Sequence, residues 1–157
     1  YYYLNNQNTK LSQANSKEFE FTFGYTALKS SSRWKYHEFV QEFSQKFNNK
    51  NIYVKTDDEN TLVPVDVYQS KVENSKFTLI LPSYDENIFS IYRLIDALNR
   101  NCLPYIHKSC IIDDIEKSYD VDLKPLITHE LYNDKQRIEL LDYYKSKFLV
   151  FEKGYYD

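Results

Sequence analysis

Lys76-Phe77-Thr78-Leu79-Ile80-Leu81 is the stretch on which the fold turns. It is an almost unbroken apolar run, and Pro82 ends it. A strand of that kind is covered on both faces, as the central strands of parallel sheets are. The segments after it fit that position. Phe89 to Arg100 carries Ile91, Leu94, Ile95 and Leu98 at helical spacing. Leu103-Pro104-Tyr105-Ile106 reads as the next strand. Residues 111–118 read as a short helix and Leu123–Ile127 as a short edge segment. Tyr132–Phe151 reads as a long closing helix through Ile138, Leu141, Tyr144 and Phe148.

The segments before it complete an alternation. Glu18-Phe19-Glu20-Phe21-Thr22-Phe23 alternates polar and apolar, so it is a strand with one apolar face, and Gly24 stands at its end. Trp34, Phe39, Val40, Phe43 and Phe47 recur at helical spacing and predict a helix over 32–48, capped by Ser30, Ser31 or Ser32. Ile52-Tyr53-Val54 is a short strand, Asp57-Asp58-Glu59-Asn60 an acidic loop, and Val63-Pro64 starts a helix to about Asn74. The order β-α-β-α-β-α-β predicts an α/β fold: a Rossmann-like parallel sheet flanked by helices, with right-handed crossovers. Residues 1–17 are expected to be an interdomain or entering segment, 18–131 the Rossmann-like domain, and 132–157 a closing helix and tail.

Composition narrows the function classes. The chain has 157 residues, 20 Lys+Arg against 23 Asp+Glu, and a net charge of −3. That balance argues against a protein that coats nucleic acid. No apolar run approaches the roughly 18 residues of a membrane helix, so a soluble, cytoplasmic protein is expected (host cytoplasm, if viral). The two cysteines, Cys102 and Cys110, are too few for a disulfide framework or a cysteine zinc site. His37, His107 and His129 show no metal-ligand spacing, so no metal site is expected. Cys102 reads as core rather than as a nucleophile. The chain does not start with Met and opens on Tyr1-Tyr2-Tyr3, which reads as a piece of something longer.

In parallel sheets of this kind ligands bind at the carboxyl ends of the strands. The loops to inspect are therefore 24–33, 56–64, 83–92 and 107–111. The first holds Gly24, Lys29, three serines and Arg33 at a strand-to-helix turn, chemistry that suits a diphosphate. It matches neither a Walker motif nor GxGxxG. A solvated loop with serine caps would look the same. In Ser90-Ile91-Tyr92-Arg93-Leu94-Ile95-Asp96, Arg93 lies near a helix start, where a cation is electrostatically misplaced unless an anion binds. Asp96, one turn on, can accept ribose hydroxyls. The plain alternative is an Arg93–Asp96 pair at i,i+3, worth a few tenths of a kcal/mol.

In order and spacing these motifs resemble the C-terminal, nucleotide-sugar-binding half of GT-B glycosyltransferases, from Phe21 to about Ile106. Within that class the chain is most similar to the DNA β-glucosyltransferases of T-even bacteriophages. Leu28-Lys29-Ser30-Ser31-Ser32-Arg33 matches the aromatic–cation–Ser–x–x–Arg loop, with Leu and Lys at its first two places. Val63-Pro64 matches the hydrophobic–Pro pair, and Tyr84 to Phe89 an Asn-rich loop with a Tyr. Arg93 to Asp96 matches Arg-x-x-acid, with Asp for Glu, and Cys102 to Ile106 the small-x-Pro-x-Ile strand.

The resemblance implies that Gly24, Lys29, Arg33, Val63, Tyr84, Arg93 and Asp96 bind substrate. Lys29, Arg33 and Arg93 would hold the diphosphate of a UDP-sugar, Asp96 the ribose, and the Val63 backbone the base. It implies transfer of a sugar, glucose by the closest similarity, to an acceptor such as hydroxymethylated phage DNA. No tightly bound cofactor is implied, and a divalent metal is admissible but not required. The general base and the acceptor, DNA included, would belong to a missing N-terminal half, so no catalytic residue is assigned in this chain. The chain alone is expected to bind nucleotide sugar weakly and not to transfer it. The alternatives are a non-catalytic nucleotide-binding module and a virus-encoded protein-interaction module, the latter favoured by the tyrosine wealth.

Overall fold

The computed structural model describes residues 17–26, 36–47, 52–57, 65–82 and 88–156. The elements alternate: β1 (Phe19–Thr26), α1 (His37–Gln45), β2 (Ile52–Asp57), α2 (Val65–Glu73), β3 (Ser75–Ile80), α3 (Ile91–Asn99), β4 (Leu103–Ile106), α4 (Asp113–Tyr119) and α5 (Asp134–Tyr156). The four strands form one sheet in the order β2-β1-β3-β4, and all three pairings are parallel. The α/β expectation therefore holds. Chain order reverses beside β1: the first connection goes out to β2 and the next returns past β1 to β3. The switch point lies between β1 and β3.

Register assigns the two faces. Phe21 aligns with Phe77 and Leu103, and Thr22 with Thr78 and Pro104. Paired residues share a face and successive residues alternate. The Phe21 face carries an aromatic layer under α1. The ring of Phe21 stacks 5.0 Å from Phe47 and meets Phe43 edge-on at 5.2 Å. Tyr105 of β4 lies 5.4 Å from both Phe43 and Phe77. The Thr22 face is covered by α2 and α3 through Tyr68, Val72 and Ala97, with Cys102 among them. Buried hydroxyls beside α2 must be bonded. Thr78 Oγ1 donates to Thr22 O at 2.7 Å, and the Thr22 and Ser75 hydroxyls bond each other.

One lysine ties two helix ends. Lys17 Nζ donates to Arg100 O at 2.9 Å, just past α3, and also to Glu73 O, the last residue of α2. Carbonyls at helix C-termini lack intrahelical partners and carry the negative end of the dipole, so a cation belongs there. Burial lowers the Lys17 pKa. The closing helix α5 adds Leu141, Tyr144 and Phe148 to the core that holds Leu94 and Leu98.

Several expected boundaries move. β1 does not stop before Gly24; it pairs with β2 as far as Thr26↔Asp57. Gly24 is thus a strand residue, and no described glycine takes a positive φ. The same pairing puts Asp57, expected in a loop, at the end of β2. α1 starts at His37, with Tyr36 at its N-cap and no side-chain cap bond. The expected serine caps lie outside the described residues. Leu123–Ile127, expected as a short edge segment, does not join the sheet: Lys124–Leu126 form a 3₁₀ turn with Pro125 in its first turn, and Pro cannot donate to a sheet ladder.

Candidate functional site

A cleft of about 150 Å³ opens over β3 between α2 and α3. Tyr68 and Val72 of α2 line it, with Thr78 of β3 and Arg93, Asp96 and Ala97 of α3. It lies beside the strand pair that forms the switch point.

Arg93 is exposed in the first turn of α3, and that turn holds no acidic residue. Ser90 stands at the N-cap without a side-chain cap bond. The amide donors of this helix start are therefore not engaged by the cap side chain. Asp96 follows one turn on, three-quarters buried or more. The Arg93–Asp96 pair does not form. Asp96 Oδ1 instead accepts from Arg100 Nε at 3.1 Å, an i,i+4 pair. One carboxylate oxygen is thus fixed by Arg100, and the group still faces the cleft.

Of the expected substrate-binding residues, the structure brings Arg93 and Asp96 together on one cleft wall. The Gly24 backbone belongs to the carboxyl end of β1. Lys29, Arg33, Val63 and Tyr84 lie outside the described residues. Sequence reading missed Tyr68 and Thr78, which reach the cleft only because α2 and α3 cover the same face. It also missed Arg100, although the i,i+4 spacing to Asp96 was visible.

A second polar group stands at the carboxyl end of β4. Ser109 N–H donates to His107 Nδ1 at 3.1 Å, and Ser109 Oγ lies 2.7 Å from the same nitrogen. Tyr36 Oη is 3.4 Å from Ser109 Oγ. The His-x-Ser spacing marks a local turn in which the imidazole accepts. Both cysteines are buried, and burial raises each thiol to about 12. Neither is a nucleophile at neutral pH, because the thiolate is the reactive form.

Among the described residues no group of three or more His, Cys, Asp or Glu could hold a metal ion. Asp113 and Asp114 sit instead in the first turn of α4, where carboxylates complement the helix dipole. No described helix is long and apolar enough to cross a membrane. The chain matches no protein-family model, no curated protein and no solved structure.

Proposed function

We propose that this chain is the donor-binding half of a GT-B glycosyltransferase, and that it takes a UDP-sugar. The observation that carries the reading is Arg93 and Asp96 on one wall of the cleft beside the β1/β3 switch point. A cation at a helix start can meet a phosphate, and a carboxylate one turn on can meet a ribose diol. The cleft of about 150 Å³ admits one ring; sites for whole small ligands span roughly 300–1,000 Å³. The rest of the nucleotide would run along the carboxyl edge of the sheet, and Lys29, Arg33 and Tyr84 are the residues proposed to meet it. Those cations would stabilise charge on the departing diphosphate, a preorganised electrostatic role. The acceptor, the general base and water exclusion fall to the other half.

Titration calorimetry with UDP, UDP-glucose and GDP-sugars tests this. Binding of a UDP species that weakens in Arg93→Ala supports the reading. No nucleotide binding at millimolar concentration, in this chain and in the full-length protein, overturns it and favours an interaction module.

A further inference from the structure

We propose that His129 is an acid-sensitive latch: its neutral ring holds the segment 127–133 against β4 and α1, and the charged ring leaves and frees that segment and the start of α5. The geometry fixes which ring nitrogen carries the first proton. His129 Nε2 lies 3.0 Å from Ile106 O. A carbonyl only accepts, so Nε2 carries the proton and a second proton must land on Nδ1. The ring stands among three aromatic rings: Phe43 at 5.3 Å, Phe39 at 5.6 Å and Tyr105 at 5.8 Å. Its backbone is held at φ 58°, a left-handed conformation sparsely used outside glycine. The latch has a second attachment one residue on, where Tyr105 Oη donates to Glu130 O.

The charges around the ring oppose a further positive one. Lys46, just past the end of α1, donates to the carbonyl of His129 itself at 3.4 Å. Lys108, from the turn after β4, repels a charged ring as well. From the same turn His107 packs edge-on against Phe39 at 4.4 Å, so it is a second imidazole on a shared ring. From β4 the titratable neighbour is Tyr105, whose phenol is raised by burial. Within the segment the adjacent carboxylate is Glu130, which is exposed.

Burial lowers the His129 pKa below its ordinary 6.5, with the Ile106 bond pulling the other way and Lys46 and Lys108 adding to the lowering. The sign follows. The closed state prefers the neutral ring, so the latch is at full strength above 6.5. Below that pH the open state takes up the proton first, and opening grows by up to about tenfold per pH unit until the closed state titrates as well.

The test is hydrogen exchange of residues 127–133 between pH 7.5 and 5, corrected for intrinsic rates, alongside an NMR titration of the His129 ring. The variant His129→Gln keeps an N–H near the Nε2 position and cannot charge. Wild type should show a step in opening below pH 6.5 and a His129 midpoint under that value. His129→Gln should lack the step, and His107→Gln should keep it. A step that survives in His129→Gln overturns the latch. So does a His129 midpoint at or above 6.5, which would mean that the surrounding rings favour the cation. If His129→Gln does not fold, the wild-type midpoint alone decides.

Discussion

Asp96 shows how one residue can carry a structural and a ligand-facing role together. Its bond to Arg100 is an ordinary helix pair, yet it orients the carboxylate toward the cleft. Asp96→Asn is expected to weaken UDP binding by about tenfold, or ~1.4 kcal/mol, with the melting temperature little changed. Calorimetry and thermal melting separate the two. The thiols give a second residue-scale prediction. Cys102 and Cys110 should resist a thiol reagent in the native protein at pH 7 and react once it is unfolded. Rapid native labelling of both would show that they are not buried as described. Arg93 and Asp96 were legible in the sequence because both lie in one short helix. Tyr68, Thr78 and the surroundings of His129 were not, because each depends on which distant segments become neighbours.

At the scale of elements, the sequence patterns placed every described strand and α-helix and gave β4 its observed bounds, Leu103–Ile106, but misplaced ends of the others. β1 reads past Gly24 because β2 offers it partners as far as Asp57, and the alternation within β1 contains no sign of that. The expected edge segment Leu123–Ile127 holds instead the 3₁₀ turn Lys124–Leu126, whose Pro125 has no N–H to give to a ladder. Phe43 joins α1 to the sheet through Phe21 and Tyr105. Phe43→Ala should cost about 3–5 kcal/mol in chemical denaturation, the usual range for emptying a large aromatic site. A loss under 1 kcal/mol would mean that α1 is not seated on this face. Lys17→Met removes a cation from two helix C-termini, and a loss of about 1–3 kcal/mol is expected. Unchanged stability would place the Lys17 ammonium in solvent.

At the scale of the molecule, the parallel order β2-β1-β3-β4 puts the carboxyl ends of β1 and β3 side by side. The cleft with Arg93 and Asp96 opens next to them, on the face covered by α2 and α3. Apolar side chains are exposed toward the same end: Ile88 and Tyr92 around the start of α3, and Ile111 after β4, at 48%, 65% and 57%. This is the end at which the acceptor half would stand in the proposed enzyme. The net charge of −3 places no demand on this half, since an anionic acceptor would be met by the other. The proposal therefore rests on whether a nucleotide sugar binds here at all. Titration of UDP-glucose into wild type and Arg93→Ala is the most direct measurement. The account expects saturable binding in the wild type that weakens at least tenfold in the variant. Equal affinity in the two proteins, or no heat of binding from either up to millimolar ligand, would contradict it.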